Sequence, residues 1–399
     1  MRIKYWGVRG SIPTPERRNS RYGGNTTCIE VRLANGTLII LDCGSGLRSL
    51  GRHLLREFGD SPLRGYIFLT HFHWDHIQGA PFFLPLYRDG NEFFFHAVKR
   101  KEEELKAAIE GQMTMPYFPV DMTMLHSTRH FYDLDYNPIE INGAVIRSAP
   151  LNHPQGCVGY RIEADGVVFA FATDTEPGSP FHDRSVRELA QGADVFAYDA
   201  QYTPEQLRSA RKGWGHSSWL EATRIANECG VRQLMLFHHD PDHADAVVDS
   251  LVEEARREFP NTIGAAEGLE LGMPGGIMKN GYLGSFLERR QEHRYKLELP
   301  VRIAWKAQTG ERHEARSTAF DISKSGIYFI VPDRVPIGQS VELEMTLPNA
   351  ITHRGDLSLH FSAELLREGE NGPFGFGIAG RGVAARLTFL QAHSQSHAA

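Results

Sequence analysis

The chain has 399 residues, more than one ordinary hydrophobic core accommodates, so we expect two domains. A hydrophobic content of 41% and a charged content of 23% are typical of a globular protein, and a formal net charge of -6 argues against a general nucleic-acid binder. No apolar stretch reaches the roughly 20 residues that span a bilayer, and the first residues lack the apolar core of a secretion signal. The four cysteines form no paired motif, so we expect reduced thiols, mostly in the core, and a cytoplasmic protein without a membrane partner.

The first predicted elements are short strands. A strand is expected at Ile3 to Trp6, and a hairpin from Cys28 to Leu33 and Thr37 to Leu41 turns at Asn35-Gly36, a favoured tight turn. Asp42 ends the second hairpin strand and precedes a predicted helix. Two interpretations of Asp42 stay open: an anchor for a metal-bound histidine and a helix-entry cap.

The densest pattern of candidate ligands follows an apolar run from Gly65 to Leu69, which predicts a buried strand. Side chains alternate at a strand end, so His71 and His73 are expected to project to one side. Asp75 and His76 are adjacent and point apart, so they can serve two different metal positions. Nitrogen and oxygen ligands at this density suit a borderline cation such as zinc. A histidine-rich surface loop without an ion is the alternative.

Three further candidate ligands come just after predicted strands, namely His153, Asp174 and His238. Each alone is typical of a loop. Together with the first cluster they predict a site for two ions about 3.5–4 Å apart, with Asp174 between them. Two divalent cations, offset by Asp75 and Asp174, would leave a net positive site that attracts an anion.

Two more segments bear on this site. His216 precedes a predicted helix from Trp219 to Cys229 and is not needed as a ligand. It can donate to a leaving oxygen or to a non-bridging phosphoryl oxygen, and a capping histidine is the alternative. The aromatic, proline-broken segment from Met113 to Met124 predicts a lid or pocket wall, or else ordinary loop packing.

These residues together resemble the metallo-β-lactamase fold hydrolases, within the branch that holds ribonuclease Z and small cyclic-phosphodiester hydrolases. The resemblance also rests on Tyr22-Gly-Gly-Asn-Thr-Thr27 and on Asp42-Cys-Gly-Ser-Gly46. It implies an α/β fold, an αββα sandwich with two metal ions between its sheet edges. It implies a catalytic role for Asp75 and for His216, which the branch places beside the leaving group. The metal ligands that it implies are His71, His73, Asp75, His76, His153, Asp174 and His238.

Two departures from that branch shape the expected substrate. There is no long glycine-rich or basic excursion like the arm that grips tRNA, and the acidic net charge fits tRNA poorly. We therefore expect a small phosphodiester, such as a 3′,5′-cyclic nucleotide, and no large nucleic acid. Phe72 and Trp74, beside the ligands, can stack on a base or pack in the core.

A second domain follows a glycine-rich boundary at Gly264 to Gly284. Apolar alternation with Gly/Pro turns predicts a small all-β barrel. The segments that carry this pattern are Leu297 to Trp305, Ile327 to Val331, Ser340 to Leu347, Leu357 to Leu366 and Phe376 to Ala379. The expected organisation is a hydrolase domain at 1–275, a linker at 276–288, a barrel domain at 289–390 and a disordered tail at 391–399.

The second domain resembles the PilZ domain, a bacterial receptor for cyclic di-GMP. Arginine forks can bind phosphate oxygens and the guanine edge, Asp can accept from guanine N–H groups, and glycine lets the backbone turn close to a ligand. The implied nucleotide-binding residues are Arg289, Arg290, Arg294, Asp321, Ser323 and Gly326. A degenerate barrel that does not bind the nucleotide is the alternative.

The leading hypothesis is a dinuclear-metal phosphodiesterase regulated by cyclic di-GMP. Zinc is the expected metal, with manganese or iron as alternatives. A second hypothesis keeps the metals but changes the substrate to an RNA end, a lactone or a thioester. A third is a catalytically idle adaptor that senses cyclic di-GMP. The oligomeric state stays open, with a homodimer among the alternatives.

Overall fold

The computed structural model describes residues 1–98, 105–272, 295–306, 311–322, 326–331, 340–347, 357–368 and 381–394. Backbone contacts divide the chain into two compact units, Met1–Gly284 and Ser285–Ala399. The predicted linker, 276–288, lies outside the described residues, and the predicted domain boundaries stay a prediction. None of the helices in the described ranges is long and apolar enough to cross a membrane.

The first unit alternates strands and helices, as the sequence predicts. Its strands are β1 (Arg2–Gly7), β2 (Cys28–Arg32), β3 (Leu38–Leu41), β4 (Arg64–Phe68), β5 (Glu92–Val98), β6 (Thr128–Leu134), β7 (Ile139–Ile141), β8 (Ala144–Leu151), β9 (Cys157–Ala164), β10 (Val167–Ala172), β11 (Val195–Asp199), β12 (Gln233–Phe237), β13 (Thr262–Gly264) and β14 (Glu270–Gly272). Its helices are α1 (Gly46–Phe58), α2 (Trp74–Ile77), α3 (Leu105–Glu110), α4 (Pro180–Ala190), α5 (Pro204–Arg208), α6 (Trp219–Glu228) and α7 (Asp245–Glu258).

These strands form two seven-stranded sheets, ordered β14-β1-β2-β3-β4-β5-β6 and β13-β12-β11-β10-β9-β8-β7. One apolar cluster joins the two sheets, and it includes Ile39 and Phe68 of the first sheet and Phe169 of the second. The opposite face of the first sheet packs against α1, and that of the second against α4, α6 and α7. Strands buried on both faces explain the continuous apolar runs in the sequence. The predicted αββα sandwich is confirmed.

The carboxyl ends of parallel strands place polar residues at the sheet edges. β3 runs parallel to β4, and β10, β11 and β12 run parallel to one another. Asp42, Asp174 and His238 follow β3, β10 and β12 and have left-handed backbone φ angles of 61°, 54° and 60°. This conformation is uncommon for non-glycine residues and turns the chain abruptly out of the sheet. The three side chains thereby stay at the strand ends.

The proline-broken segment from Met113 to Met124 has two sides. Met113 and Met122 are buried in the cluster beneath α1. Met115 and Tyr117 are 87% and 82% exposed. Loop packing is therefore present in this segment, and its role as a lid or pocket wall stays a prediction. All four cysteines are buried and free of disulfides, as predicted.

The second unit contains a closed barrel in the order β15-β16-β17-β20-β19-β18, which confirms the predicted β-barrel. Val301, Leu343 and Ala363 contribute to its core. Its described strands are β15 (Tyr295–Lys306), β16 (Arg312–Ile322), β17 (Gly326–Val331), β18 (Ser340–Leu347), β19 (Leu357–Glu368) and β20 (Arg381–Ser394). The predicted segment from Phe376 to Ala379 lies outside the described residues.

Two sequence-based expectations for this barrel need correction. β16 and β20 were not predicted, and in β16 charged residues interrupt the apolar pattern from Arg312 onward. The tail predicted to be disordered from 391 onward is instead strand up to Ser394, since Leu357 and Ser358 of β19 pair with Ser394 and His393. Backbone pairing across the barrel there outweighs the polar composition.

Candidate metal centre

The predicted ligands converge at the sheet edges although they are far apart in sequence. His71 and His73 lie in the loop after β4, and Asp75 and His76 lie in the short helix α2. His153, Asp174 and His238 follow β8, β10 and β12. We call His71, His73 and His153 the first group, and Asp75, His76, Asp174 and His238 the second group. Within each group the candidate ligand atoms all lie within 4.8 Å of one another.

In the first group, hydrogen bonds fix which ring nitrogen carries a lone pair. His153 Nδ1 donates to the carbonyl oxygen of Gly215 at 2.8 Å. His73 Nε2 lies 2.9 Å from Gln155 Oε1. The remaining nitrogens, His153 Nε2 and His73 Nδ1, face each other at 3.1 Å. In neutral rings both of these nitrogens are acceptors, so the pair requires a cation or a proton between them.

The second group brings acceptors together in the same way. His76 Nδ1 donates to Asp42 Oδ2 at 2.8 Å, so the neutral ring presents a lone pair at Nε2. That Nε2 lies 3.3 Å from Asp75 Oδ2 and 3.3 Å from Asp174 Oδ2. His238 Nε2 is also 3.3 Å from the same two oxygens. Two carboxylates and two imidazoles thus converge on one buried point.

Burial and charge act differently on the two groups. Burial holds the pKa of His71 well below its ordinary value and lowers the pKa of His153 to about 4. Burial also disfavours a positive His76, but the neighbouring carboxylates outweigh this and raise its pKa well above the ordinary value. Burial would raise the pKa of Asp75, but His76 and His238 hold it well below its usual range. The second group therefore favours positive charge, whereas burial keeps His71 and His153 of the first group neutral.

The donor set fits divalent metal ions. The Nε2 atoms of His71 and His76 are buried and have no hydrogen-bond partner within the described ranges. Buried polar atoms without partners are rare and call for an explanation such as a bound ion. Imidazole nitrogens with carboxylate oxygens suit zinc and other borderline cations. Asp174 faces both groups, since its Oδ1 lies 3.8 Å from His71 Nε2 and 3.8 Å from His153 Nε2, while Oδ2 faces the second group.

Asp42 orients a candidate ligand rather than only starting a helix. Besides receiving the His76 Nδ1 proton, its Oδ1 accepts from the Thr70 backbone N–H at 2.8 Å. A carboxylate behind a ligand histidine fixes the tautomer of the ring and raises its basicity. The structure therefore favours the first of the two interpretations of Asp42.

His216 lies between the two groups. Its ring centroid is 5.2 Å from that of His153 and 5.0 Å from that of His238. His216 Nδ1 donates to Asp199 Oδ2 at 2.8 Å. Burial disfavours the charged ring, but Asp199 and Asp174 outweigh it and raise the pKa of His216 to about 9. The cap of α6 is instead Ser218, whose side chain accepts from the Glu221 N–H, so the capping interpretation of His216 is wrong.

Sequence reasoning missed the residues that hold this arrangement. Asp199 accepts from His216 and also from the backbone N–H groups of Asp174 and Ser217. A signal existed, because Asp199 ends the apolar strand β11, as Asp174 and His238 follow β10 and β12. Gln201, whose Oε1 lies 3.1 Å from His238 Nδ1, carries no such signal.

The two aromatic residues beside the first ligands differ in exposure. Phe72 is half-buried and packs against the apolar cluster beneath α1. Trp74 is 70% exposed. Core packing therefore accounts for Phe72 but not for Trp74.

Most of the predicted nucleotide-binding residues of the second unit lie outside the described residues, namely Arg289, Arg290, Arg294 and Ser323. Asp321 lies in β16, opposite Lys296 of β15 and Tyr328 of β17. Gly326 begins β17. The assignment of these residues to a nucleotide site stays a prediction.

Comparison with known families and proteins agrees with the geometry. The family described as beta-lactamase superfamily domain matches residues 37–239, half of the chain, and the PilZ domain family matches residues 288–392. Ribonuclease Z of Haloarcula marismortui is 28% identical over 316 residues, covering 67% of this chain and 94% of that protein. Ribonuclease Z of Synechococcus is 25% identical over 328 residues, covering 68% of this chain and 98% of that protein.

Among solved structures, the metallo-β-lactamase fold protein YhfI from Bacillus subtilis is similar to the first unit. It has 20% sequence identity and a TM-score of 0.51, and the match covers 68% of this chain and 98% of that chain. At this identity the likeness establishes the fold alone.

Proposed function

The chain belongs to the beta-lactamase superfamily and carries a carboxyl-terminal PilZ domain, and from this premise we propose that it is a metal-dependent phosphodiesterase regulated by cyclic di-GMP. The observation that carries the proposal is the position of His216. Its ring centroid lies 5.2 Å from that of His153 and 5.0 Å from that of His238, Nδ1 is bound to Asp199, and Nε2 would act on a substrate. A positioned proton donor beside a metal centre is what cleavage of a phosphodiester requires.

The first and second groups would each hold one divalent ion, with Asp174 facing both. Bound there, the ions would activate water and neutralise charge on the phosphoryl oxygens. Zinc is the proposed metal, with manganese or iron as alternatives. The remaining chemistry falls to side chains of the chain itself.

Two side chains would move protons. When water attacks phosphorus, the bond to the leaving oxygen breaks and the alkoxide needs a proton. His216 would supply it from Nε2, because the carboxylate of Asp199 keeps Nδ1 engaged and favours the charged ring. Asp75 would accept the proton of the attacking water at a carboxylate oxygen. Its Oδ2 also accepts from the backbone N–H of Ser11 at 2.7 Å, which fixes its orientation.

A small anionic phosphodiester fits this chain better than a large nucleic acid. The net charge of -6 disfavours binding along a long polyanion, which depends on many Lys and Arg contacts. We therefore propose a 3′,5′-cyclic nucleotide as the substrate. The similarity to ribonuclease Z proteins makes an RNA 3′ end the second candidate.

The PilZ domain supplies the regulatory half of the proposal. Arg289, Arg290 and Arg294, with Asp321, Ser323 and Gly326, would bind cyclic di-GMP. To change the rate, the nucleotide must bind two states of the protein with different affinities.

The test is a hydrolysis screen of the protein loaded with zinc, manganese or iron. Cyclic AMP, cyclic GMP, an RNA 3′ end, a lactone and a thioester serve as substrates, each with and without cyclic di-GMP. We expect cyclic-nucleotide hydrolysis that falls steeply in His216→Ala. Hydrolysis of only the lactone or the thioester would overturn the phosphodiesterase assignment.

The regulatory half is tested separately with Arg294→Ala. We expect the ratio of rates with and without cyclic di-GMP to fall to one in this variant. Equal rates in the unaltered protein, despite binding of cyclic di-GMP shown by calorimetry, would overturn regulation and leave the enzymatic half intact.

A further inference from the structure

A chain of ring contacts leads from His216 out to the surface. The ring centroids of His216 and Tyr202 are 5.7 Å apart and nearly perpendicular. The guanidinium carbon of Arg211 lies 5.8 Å from the Tyr202 ring centroid and 4.4 Å from that of Trp214. Tyr202 is buried, whereas Trp214 is 54% exposed. Arg211 and Trp214 belong to the loop 209–215, which we call the rim loop.

Arg211 is a cation that pairs with no acidic side chain in the described part of the chain. Within the described residues no carboxylate lies at ion-pair distance from its guanidinium, whereas the nearby Arg208 pairs with Glu205 at 3.1 Å. Its contacts are instead the faces of Tyr202 and Trp214. A half-buried guanidinium between aromatic rings, with an exposed indole beside it, offers flat faces on which a heteroaromatic ring can stack.

The rim loop is fixed to the metal centre. The carboxylate of Glu176 accepts from the Gly213 N–H at 2.8 Å and from the Gly215 N–H at 2.9 Å. Glu176 follows Asp174 by two residues, and Gly215 in turn accepts from His153. The loop is thus tied to a segment that carries candidate ligands, so its side chains are pre-organised for binding.

We propose that Arg211 and Trp214 form the subsite that holds the base of the substrate, an inference that rests on the proposed phosphodiesterase function. With the phosphoryl group at the ligand groups and the leaving oxygen at His216, the rest of a nucleotide extends outward past Tyr202. The successive contacts measure 5.7 Å between the ring centroids of His216 and Tyr202 and 5.8 Å from the Tyr202 centroid to the guanidinium carbon of Arg211. Stacking on aromatic side chains tolerates any base. This subsite therefore selects for the presence of a base without selecting which base it is.

Trp74 is the competing platform. It is 70% exposed and follows the candidate ligand His73. Within the described ranges no arginine or lysine lies over its ring, in contrast to Trp214.

The test compares Trp214→Ala and Arg211→Gln with Trp74→Ala. Two substrates are used, cyclic AMP and methyl riboside 3′,5′-cyclic phosphate, which lacks the base. We expect Trp214→Ala to raise KM for cyclic AMP about tenfold and Arg211→Gln several-fold, with kcat changed by less than about twofold. KM for the base-free diester should not change. Equal effects on both substrates, or an effect at Trp74 instead, would overturn the assignment.

Binding gives a readout independent of turnover. Calorimetry of the metal-loaded protein should show that AMP binds about tenfold more weakly to Trp214→Ala, while inorganic phosphate binds equally well to both proteins. If the unaltered protein hydrolyses neither diester, the proposed function and this inference fail together. If it hydrolyses both diesters equally well, the base subsite alone fails.

Discussion

Asp174 belongs to the second group of candidate ligands and also faces the first group, but the two groups differ in the residues that position their histidines. The second group is anchored by side chains at strand ends, since Asp42 after β3 orients His76 at 2.8 Å. The first group depends on loops, because the Gly215 carbonyl orients His153 and Gln155 contacts His73. His76 and His238 are fully buried, whereas His73 is half-buried.

This difference separates two roles within one centre. The second group contains the carboxylates Asp75 and Asp174, and the pKa values there favour positive charge. A buried cluster of this kind is strongly destabilised when its charge balance is broken. In the first group the rim loop orients His153 through the Gly215 carbonyl and Gln155 contacts His73, so the geometry of this group depends on loop conformation. The second group is thus held by a side chain at a strand end, and the first by contacts from loops.

The largest expected effect is that of Asp75→Ala, which breaks the second group. Removal of this carboxylate leaves Asp174 as the carboxylate that faces the Nε2 atoms of His76 and His238. We expect hydrolysis to fall by at least about 10³-fold, with loss of at least one bound ion. Activity assays and metal analysis of the purified variant check this.

The matched control is Asp242→Ala, an exposed acid in the loop after His238. Binding of cyclic di-GMP to Asp75→Ala should be retained, which shows that the second unit remains folded. Full hydrolysis by Asp75→Ala would contradict the metal assignment.

A smaller effect is expected when the loop support of the first group is disturbed by Gly215→Ala. A Cβ at Gly215 would lie 2.2 Å from His153 Nδ1, so the imidazole must move. We expect hydrolysis to fall about 10²-fold, because small displacements of reacting groups have effects of this size.

Gly213→Ala is a close control, because φ is 84° at Gly213 and 85° at Gly215, yet a Cβ at Gly213 meets nothing within 4 Å. Both variants carry the strain of a left-handed alanine, about 1–2 kcal/mol. Only Gly215→Ala should alter hydrolysis strongly. Equal losses would show that the rim loop does not position His153.

The same contrast explains what the sequence could predict. His71 to His76 are local, and His153, Asp174 and His238 come just after apolar strands, so pattern alone brought them together. The support of His153 by Gly215 joins residues 62 positions apart and involves a backbone carbonyl, which no side-chain pattern reveals. Asp199 ends a strand as the ligands do, but it was overlooked because no motif named it.

The barrel shows a similar limit. Four of the barrel strands were predicted, whereas β16 and β20 were missed. In β16 the charged residues, such as Arg312 and Glu314, alternate with less polar ones in a way that is also typical of loops. Barrel closure supplies partners on both sides of β16, in β15 and β17, and this long-range pairing is absent from local sequence.

His96 isolates the effect of burial that lowers the pKa values of His71 and His153. It is 7% exposed, stacks on Phe68 at 4.5 Å and belongs to neither group. Burial lowers its pKa to about 4. The unfolded chain therefore binds a proton at higher pH than the folded one, so stability is fully present above the unfolded pKa and is lost as pH falls toward the folded pKa.

We expect the unfolding free energy to fall by about 2 kcal/mol more in the unaltered protein than in His96→Phe between about pH 7 and pH 5. Denaturant titrations at both pH values check this. His126→Phe, at an exposed histidine, serves as the control. An identical pH dependence in His96→Phe and the unaltered protein would mean that burial does not hold this imidazole neutral.

The smallest effect is expected for Asp42→Asn, which weakens the anchor of the second group without removing a ligand. The amide keeps an acceptor for the Thr70 N–H but loses the charge that holds the His76 Nδ1 proton. We expect one ion to bind about tenfold more weakly, as is typical when the partner of a ligand histidine is changed.

Competition with a zinc chelator measures the affinity for each ion. The control is Asp245→Asn, which changes a buried acid that accepts from the backbone N–H of Arg21. Weaker binding of only one ion would show that the two groups are positioned by separate contacts. Equally weaker binding of both ions would mean that the strand-end and loop contacts act as one unit.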